Sequence, residues 1–585
     1  MQIDRLDGVP EETDLDCDIV IAGGGPCGLS IAQELIGSGL RVLVLESGLL
    51  QESEEHAALN TVEMANGAAD GAVQAVRAAY HSALPSAWDA QQQGFGVRCR
   101  GLGGSTQAWA GKSAGFSGID FEARPWVPQS GWPVSRETLA PYLERAAGRL
   151  NLGPNCYDDS FWQHSGQPPP EPAIDRGDFT SFFWQFARSR LNPLGILRAG
   201  AEFKALEAPN VRVLLNATVT KLHTDSSGAR FERLEVRSLC GRQAVIRARA
   251  CVLAASAIEN ARLLLLSADT HGAGLGNRNG LVGRCLTDHV QAEIGSFGAA
   301  AAKSVSQRFG FYGLRHQGRS HMYSHGLSLS AARQRAEHLL NGAVYFSEQR
   351  SADDPVSALG RLLRRRSRSP RADLLALARS PGALIQAAGV KALESDRMPG
   401  GLRRLVVGNV VRRLPNMAAR NYRFRGLPHK LDGAAAMAIA EQAPDPENRI
   451  TLSARRDRLG LPLPQVNWRA GPAERRTLMR MGQVMQQAFA VAGLPRPVLP
   501  EWIAEGRPDE AAVIDMGHTG GTTRMSAGPA TGVVNADQRL HDVRGLYAAG
   551  GSVMPTPGHA NPTLMMVAMS IRLADHLKAE FAGQP

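Results

Sequence analysis

The sequence predicts an α/β fold, and three observations support that prediction. Near the N-terminus, a strand, a glycine-rich turn, a helix and a second strand follow one another within residues 16–46. Strand-like apolar runs return at 211–219, 231–237 and 244–253, and the last of them leads into a further helix. A strand, a turn and a strand are expected within 446–468. Strands that alternate with helices are typical of a parallel sheet covered by helices.

The first of these units has the pattern of a dinucleotide-binding motif. Gly23, Gly25 and Gly28 stand at G-x-G-x-x-G spacing after the strand DCDIVIA, and Glu46 ends the next strand, RVLVLE. Gly23 permits a tight turn, Gly25 lets the backbone approach a pyrophosphate, and Gly28 lets the helix pack on the strand. The helix N-terminus offers free N–H groups to phosphates. Glu46 suits ribose hydroxyls and repels a 2′-phosphate, which disfavours NADP. The alternative is a glycine-rich turn in another kind of α/β protein.

Composition indicates an ordinary globular protein. Of the 585 residues, 43% are apolar and 21% are charged. The seven cysteines are scattered and include no CxxC pair, which argues against a disulfide framework or a zinc site and predicts a reducing compartment. The first residues are acidic and lack the apolar core of a signal peptide, so we expect a cytoplasmic location. No apolar run reaches the roughly 18–20 residues of a membrane span.

The basic charge is confined to one segment. The formal net charge is +10, yet residues 361–425 alone hold 16 Lys and Arg against three acids. Here, in a stretch from about 300 to 440 whose pattern is loose, arginine-rich patches alternate with apolar ones, as in interfacial helices. Peripheral contact with an anionic membrane is one interpretation. We favour the other, a solvated insertion of basic helices, because charge runs are usually solvated faces. Nucleic-acid binding is not expected, because no aromatic residues alternate with the arginines.

Two polar clusters near the C-terminus carry the candidate chemistry. His518 stands beside a glycine turn in HTGGTTRM, and Asn561 precedes a proline and a predicted helix that runs to about Glu580. A further glycine cluster, residues 101–106, can lie close against a flat ring or a phosphate because it has few side chains. The alternative for that cluster is an ordinary loop.

Two other features are expected to be structural. Residues 130–149 predict a surface helix with Ser135 as its N-cap and Thr138 three residues further on. Asp288 and His289 form an acid–imidazole pair, but adjacent residues on a strand point to opposite faces. We therefore expect Asp288 and His289 to have a structural role.

Together these landmarks resemble the glucose–methanol–choline (GMC) flavin oxidoreductases. The matching stretches are DIVIAGGGPCGLSIAQEL with VLVLESG, GLGGSTQAWAG, SGWPVSRETLAPYLERA, ASAIENARLLLLS, GLVGRCLTDH, PENRITLS and the two C-terminal blocks. The resemblance implies FAD, a Rossmann-type FAD-binding domain from discontinuous segments, and an α+β substrate domain on an antiparallel sheet. The expected segments are 1–160, 206–298 and 511–585 for the FAD-binding domain, 161–205 for a substrate-domain or lid segment, and 299–510 for the substrate domain with its basic helical insertion at about 355–425.

The resemblance also implies roles for single residues. A histidine acts as base in that family, and His518 occupies its place. Oxidation of a CH–OH group requires that a base takes the hydroxyl proton while the carbon-bound hydrogen leaves as hydride to flavin N5. Asn561 stands at the partner position and would hydrogen-bond the substrate oxygen; the alternative is that it only caps the helix. His559 is a third candidate, which contacts substrate, shares in proton handling or packs behind the site.

The resemblance leads us to expect cofactor contacts from the two glycine clusters, from one strand residue and from the start of the last helix. These residues are Gly23, Gly25, Gly28, Glu46, Gly103, Gly104, Ser105, Thr106, Val219, Gly550, Gly551, Asn561, Pro562 and Thr563. Relatives with covalent FAD carry a histidine between the glycine pair and the tryptophan, where this sequence has Ala108, so we predict non-covalent FAD. Many relatives have an acid where Gly550 and Gly551 stand, so backbone N–H groups are expected to supply part of the pyrophosphate contact.

The sequence therefore predicts an FAD-dependent alcohol dehydrogenase or oxidase. Its substrate would be a polar small molecule, such as a sugar, an aminosugar or a secondary-metabolite alcohol, and its electrons would pass to oxygen or another acceptor. Two alternatives stay open. One is a non-redox lyase whose FAD is structural, and the other is a membrane-surface dehydrogenase that passes electrons to a quinone.

Overall fold

In the residues that the computed structural model describes, the chain forms three β-sheets with helices packed around them. These residues are 2–11, 13–67, 71–81, 88–192, 195–365, 367, 369–382, 385, 401, 405, 409 and 429–581. The strands are β1 Gln2–Arg5, β2 Cys17–Ala22, β3 Val42–Leu45, β4 Glu63–Met64, β5 Lys112–Ser113, β6 Phe179–Phe186, β7 Val211–Leu215, β8 Thr218–Thr224, β9 Phe231–Arg237, β10 Gln243–Leu253, β11 Val290–Gly298, β12 Phe311–His316, β13 Arg319–Leu329, β14 Gly342–Arg350, β15 Leu431–Ala440, β16 Arg449–Arg456, β17 Pro462–Asn467, β18 Ile514–Asp515 and β19 Leu546–Ala548. The α-helices are α1 Pro26–Glu34, α2 Glu54–Ala57, α3 Gly71–His81, α4 Gly118–Phe121, α5 Arg136–Arg149, α6 Ser160–Ser165, α7 Ala199–Lys204, α8 Ser256–Leu266, α9 Ala299–Arg308, α10 Ala331–Glu337, α11 Pro355–Leu363, α12 Pro370–Ala378, α13 Pro472–Val491, α14 Glu501–Ala504 and α15 Thr563–Phe581.

The first sheet is parallel over most of its width. Its order is β1-β7-β3-β2-β10-β9-β8, and β19 also pairs with β10. Strand β10 serves two parts of the sheet, because residues 243–247 pair antiparallel with β9 while residues 248–253 pair parallel with β2. Strands β2 and β3 are buried along nearly their whole length, as expected for strands covered on both faces. The strand–turn–helix–strand unit predicted for residues 16–46 is present.

The second sheet is antiparallel throughout. Its order is β18-β11-β15-β14-β13-β6-β5, and β12 extends it by pairing with β13. Helices α9 and α13 cover it, and their apolar residues share a buried cluster with those of the sheet. Strand β11 belongs to this sheet, although we predicted residues 206–298 as part of the FAD-binding domain. The division into segments stays a prediction, with β11 better assigned to the antiparallel sheet.

Residues 300–440, whose sequence pattern is loose, contain four strands, β12 to β15, that the sequence analysis did not predict. Strand β15 has the sequence LDGAAAMAIA, and its alanines favour strands only weakly, so the pattern gave little sign of a sheet. Helices α11 and α12 fall within the basic insertion predicted for 355–425. Most of that insertion beyond residue 382 lies outside the described residues. Among the helices that are described, none combines the length and the apolar character needed to cross a membrane.

Helix α15 fixes the position of the segment that precedes it. One face of this helix packs on α5 and another packs on α1. Its buried residues are Leu564, Met565, Val567, Ala568, Met569, Ser570, Ile571, Leu573, Ala574, Leu577 and Phe581. Each large aliphatic side chain buried in this way contributes about 1.5–3 kcal/mol, so the helix is firmly held. The helix and its end near Glu580 agree with the prediction, as does the Ser135 cap on α5, which accepts a hydrogen bond from the Thr138 N–H at 3.2 Å.

A buried ion pair joins the loop after α4 to the second sheet. Both Nη atoms of Arg124 donate to the carboxylate of Glu441, at 2.8 and 2.6 Å, and neither side chain is more than 1% exposed. Glu441 also accepts a hydrogen bond from the backbone N–H of Asn341 at the start of β14. Such a pair constrains geometry, because either charge alone would be costly to bury.

Replacing Glu441 with Gln is expected to destabilise the fold by about 3–5 kcal/mol, because the Arg124 guanidinium stays buried without its counter-charge. The measurement is the midpoint of urea unfolding. Glu122→Gln is the matched control, since Glu122 pairs with Arg335 at the surface, where both side chains are about half exposed. The control should cost less than about 1 kcal/mol. Equal midpoints for the two variants would contradict the assignment.

Candidate active site

A cavity of about 590 Å³ opens between the two large sheets. Part of its lining comes from the loops that follow β2, β3, β10 and β19, which are the carboxyl ends of parallel strands. This edge is where open α/β sheets bind nucleotides. The opposite wall comes from β5 and β14 of the antiparallel sheet and from residues 516–519. One wall of the cavity is therefore the edge of the parallel sheet that suits a nucleotide, and the other wall belongs to the antiparallel sheet.

The glycine-rich turn has the shape of a phosphate cradle. A Cβ atom at Gly28 would lie 2.1 Å from the carbonyl oxygen of Gly23, so only glycine allows α1 to pack this closely on the turn. A Cβ atom at Gly25 would meet no atom within 4 Å, so the backbone at the start of α1 faces open space. Gly104 of the second glycine cluster lies against the Cα atom of Gly25, which brings the two clusters together at the cavity. An anionic group fits at this helix N-terminus.

Glu46 closes the nucleotide end of the cavity. Its carboxylate accepts hydrogen bonds from the N–H groups of Gly24 at 3.0 Å and Gly48 at 2.8 Å. The side chain is 4% exposed, and burial raises its pKa while these hydrogen bonds oppose the rise. A carboxylate held in this way still has lone pairs for the hydroxyl groups of a ribose.

His518 and Asn561 meet in the wall of the same cavity. The Nδ2 atom of Asn561 donates to Nε2 of His518 at 3.1 Å, although 43 residues separate them in the sequence. Both line the cavity, His518 from the loop after β18 and Asn561 from the loop before α15. The Oδ1 atom of Asn561 is buried and has no hydrogen-bond partner within the described residues. A buried amide oxygen without a partner is unusual and fits a position that a ligand completes.

The surroundings of His518 keep its imidazole neutral. Burial lowers its pKa well below 6.5, and the nearby His289, Lys112 and His81 lower it further. A neutral imidazole has a free lone pair, which is what a general base needs. The cavity that the phosphate cradle lines therefore also holds a base.

Asp288 and His289 lie directly behind this base. One carboxylate oxygen of Asp288 accepts hydrogen bonds from the N–H groups of His289, Met516 and His518. The Nδ1 atoms of His289 and His518 lie 3.1 Å apart. The expected structural role suits Asp288, but the side chain of His289 contacts His518 directly. The alternation argument did not apply, because β11 begins only at Val290.

These three residues also place possible metal ligands within 4.8 Å of one another. One oxygen of Asp288 and both histidine rings already take part in hydrogen bonds with protein groups. We propose no metal at this position.

His559 does not reach the cavity, which corrects its placement among the candidate catalytic residues. Its ring is fully buried against Phe182, and its Nδ1 atom accepts a hydrogen bond from the Asn341 amide at 2.9 Å. The carboxylate of Asp120 lies 3.4 Å from the same nitrogen. Asn341 and Asp120 hold the ring at a position that does not line the cavity. The placement favours packing behind the site over contact with substrate.

Most of the other predicted residues line the cavity. They are Gly23, Gly25, Glu46, Gly104, Ser105, Thr106, Val219, Gly550, Gly551 and Thr563. Gly28, Gly103 and Pro562 do not line it. Gly28 acts instead in the packing of helix on turn, as its predicted role requires, whereas Gly103 and Pro562 stand beside residues that do line the cavity.

Several lining residues were missed by the sequence analysis. Lys112 lies with its ammonium group 4.1 Å from the ring centroid of Trp184 and 4.3 Å from that of Tyr345. Tyr80, Ser347, Arg98 and Arg100 also line the cavity. Lys112 and Tyr345 lie on strands of the antiparallel sheet, which no sequence pattern had located.

Comparison with known proteins agrees with this geometry. A family model described as GMC oxidoreductase matches residues 444–570, which include His518 and Asn561. The chain is 24% identical to the fructose dehydrogenase large subunit of Gluconobacter japonicus, over 96% of this chain and 97% of that protein. It is 24% identical to 2-methyl-1,2-propanediol dehydrogenase of Mycolicibacterium austroafricanum, over 97% and 96%. It is 23% identical to paromamine 6'-oxidase of Streptomyces fradiae, over 97% and 92%.

Solved structures show the same fold at low sequence identity. Pyridoxine 4-oxidase from Mesorbium loti matches with a TM-score of 0.52 at 17% identity, over 96% of this chain and 99% of that one. A fungal aryl-alcohol oxidase matches with a TM-score of 0.54 at 14% identity, over 97% and 100%. The family match over residues 444–570 and the full-length relatives show that this chain is similar to the GMC oxidoreductases, and the solved structures share its fold.

Proposed function

We propose that this chain binds FAD without a covalent bond and oxidises a CH–OH group of a polar small molecule, with His518 as the base. The observation that carries the proposal is the 3.1 Å contact of His518 with Asn561 in the wall of a cavity that a phosphate cradle also lines. Fructose dehydrogenase and paromamine 6'-oxidase, among the relatives, support a sugar, an aminosugar or a secondary-metabolite alcohol as substrate.

The residues present fit FAD along the whole cavity. Gly25 leaves room at the start of α1 for the pyrophosphate, and Glu46 offers lone pairs to the ribose. Gly550 and Gly551 add backbone to the same edge where many relatives have an acid. Ala108 lines the cavity with a methyl group, which offers no atom for a covalent bond to the flavin.

Each polar group near the base has a part in the proposed reaction. FAD, when bound, accepts a hydride from the carbon that bears the hydroxyl group. The Nε2 atom of His518 takes the hydroxyl proton, and the amide N–H of Asn561 donates to the substrate oxygen without competing for that proton. The positive charge of Lys112 near His518 favours the negative charge that the oxygen gains as its proton leaves. Electrons then pass to oxygen or another acceptor.

Acid precipitation of the FAD-loaded protein tests the mode of attachment. We expect all of the flavin absorbance in the supernatant, because Ala108 replaces the residue that forms the covalent link in relatives. The measurement is the flavin absorbance of pellet and supernatant after washing. Flavin that stays with the precipitated protein would show that another residue forms the bond.

Replacing His518 with Ala tests the base. Anaerobic mixing with a panel of sugars, aminosugars and aliphatic alcohols should bleach the flavin of the wild-type protein. We expect the reduction rate of His518→Ala to fall by roughly 10²–10⁴-fold, the usual contribution of a general base, while FAD stays bound. His223→Ala is the control, since His223 lies on β8 and pairs with Glu235 away from the cavity.

Two results would change the proposal. A His518→Ala variant that reduces at the wild-type rate would remove His518 as the base. A wild-type flavin that no alcohol reduces would favour a lyase with structural FAD. Re-oxidation in air after successful reduction then distinguishes an oxidase from a dehydrogenase.

A surface on α11 and α12 supports a second property, peripheral contact with an anionic membrane. Leu363, Leu374 and Leu375 are 50–76% exposed. The exposed arginines near them are Arg371 on α12 and Arg364, Arg365 and Arg379, which directly follow the two helices. Exposed apolar residues among cations suit the interface of a lipid bilayer. This placement would suit electron transfer to a quinone.

Co-sedimentation with lipid vesicles tests this surface. We expect binding to vesicles that contain anionic lipid, release at about 1 M salt, where charges are screened within about 3 Å, and no binding to neutral vesicles. The variant with Leu363, Leu374 and Leu375 replaced by Ser should bind more weakly. Binding that is independent of lipid charge and salt would contradict the electrostatic form of the interaction.

A further inference from the structure

The ring of His289 occupies the side of His518 that faces away from Asn561. His518 uses its Nε2 atom toward Asn561 and its Nδ1 atom toward His289, at 3.1 Å in each case. His289 uses its own Nε2 atom toward the backbone carbonyl oxygen of Pro557, also at 3.1 Å. The three contacts form one chain of hydrogen bonds, from the carbonyl oxygen of Pro557 through His289 and His518 to Asn561. His289 itself is fully buried and does not line the cavity.

The carbonyl oxygen of Pro557 determines where the protons in this chain of hydrogen bonds reside. A carbonyl oxygen only accepts, so Nε2 of His289 must carry a hydrogen. Burial, with a smaller effect from His559, lowers the pKa of His289 to about 4, so its ring is neutral. Its Nδ1 atom therefore carries a lone pair and no hydrogen. That lone pair requires a donor, and Nδ1 of His518 is the atom it faces. The proton of neutral His518 is thus held on Nδ1, which leaves the lone pair on Nε2.

Asn561 gives an independent indication of the same state. Its amide Nδ2 lies 3.1 Å from Nε2 of His518, and an amide nitrogen can only donate. The Nε2 atom therefore acts as an acceptor, as the hydrogen bonds from Pro557 require. Both neighbours of His518 impose the same tautomer from opposite edges of the ring.

We propose that His289 is a positioning residue for the reaction: it holds the proton of His518 on Nδ1 and thereby keeps the Nε2 lone pair ready for the substrate hydroxyl. This inference rests on the proposed function, because it concerns the same base. Asp288 supports the arrangement by binding the backbone N–H groups of both histidines through one oxygen. His289 does not touch the cavity, so its effect passes entirely through His518.

Two amide variants of His289 separate this role from a merely structural one. The Asn amide lies where Nδ1 of histidine lies, so His289→Asn keeps an acceptor for His518 but loses the bond to Pro557. The Gln amide lies near the place of Nε2, so His289→Gln keeps the bond to Pro557 but loses the acceptor. His325→Gln is the control for loss of a buried imidazole, since His325 is 3% exposed and packs on Phe183 in the second sheet.

The measurement is the anaerobic rate of flavin reduction in the FAD-loaded variants. We expect His289→Asn and His325→Gln to stay within about threefold of the wild type. We expect His289→Gln to lose about tenfold or more, yet less than the roughly 10²–10⁴-fold loss from removing the base itself. Equal losses in the Asn and Gln variants, or a larger loss in Asn, would overturn the proposal.

The pH profile gives a second reading. His518 faces His289, Lys112, His81 and Asn561, and His289 faces His518, His559 and Asp120. A carboxylate oxygen of Asp288 lies within 4.8 Å of a ring nitrogen of both histidines. The wild-type rate should be constant near neutral pH and fall as the pH drops through the low pKa of His518. The ratio of two neutral tautomers does not depend on pH. The reduction rate of His289→Gln should therefore be lower than that of the wild type by the same factor at every pH where the wild-type rate is constant. A loss that disappears at high pH would overturn the proposal.

Nitrogen-15 NMR of the wild-type protein, labelled at histidine, reads the tautomer without any turnover. Protonated and unprotonated ring nitrogens differ widely in chemical shift, and His518→Gln identifies the signals of His518. We expect a protonated Nδ1 and an unprotonated Nε2; the reverse would overturn the proposal even if the His289 variants failed to fold. If His518→Ala reduces flavin normally, the proposed function fails, whereas a normal His289→Gln alone removes only the positioning role.

Discussion

The geometry of the site depends on the hydrogen bonds that the carboxylate of Asp288 accepts. This carboxylate is fully buried, and one of its oxygens accepts three backbone N–H groups, from His289, Met516 and His518. Burial and the nearby Asp515 raise its pKa well above the usual value, and the three hydrogen bonds oppose that rise. A buried acceptor of this kind fixes backbone more tightly than side-chain packing alone, because each lost hydrogen bond leaves an unsatisfied N–H group. Asp288 thus joins the start of β11 to the loop that carries the base.

A second buried polar cluster supports the loop that carries Asn561. Asp120, Asn341 and His559 form it, and Asn341 donates to both Asp120 and His559. Glu441 holds the backbone of Asn341, and so connects this cluster to the Arg124 pair. The segment from Pro557 to Asn561 is therefore fixed from two directions, by this cluster and by the His289 ring. Rigid support of this kind preserves the orientation of catalytic groups.

The sequence was sufficient for those parts of the fold whose chemistry is local. The turn at Gly23 to Gly28, the Ser135 cap and the helix after Asn561 each depend on residues a few positions apart, and each forms as predicted. His518 and Asn561 lie 43 residues apart, and the resemblance to the GMC family was the signal that paired them. The same resemblance did not extend to residues 300–440, and there the sequence analysis found no strands.

The residues missed in the site share one physical cause. Lys112 lies on β5, which has only two residues. Tyr345 lies on β14, and the strands on either side of it, β13 and β15, are rich in small or polar residues. Such strands are defined by pairing across the sheet rather than by their own pattern. The structural role predicted for His289 depends on its lying within a strand, but His289 precedes β11 and its side chain contacts His518.

The placement of β19 beside β10 has a consequence for how the chain assembles as it is made. The parallel sheet includes β1 near residue 3 and β19 near residue 547, so its last strand is synthesised long after its first. At roughly 5–20 residues per second, about 25–100 s separate the two on the ribosome. Strand β10 is complete at Leu253, so the apolar edge of β10 that β19 later covers is exposed for roughly 15–60 s of that interval. For much of its synthesis the nascent chain is therefore a partial sheet with an exposed apolar edge. His518 and Asn561 are added only when synthesis is nearly finished.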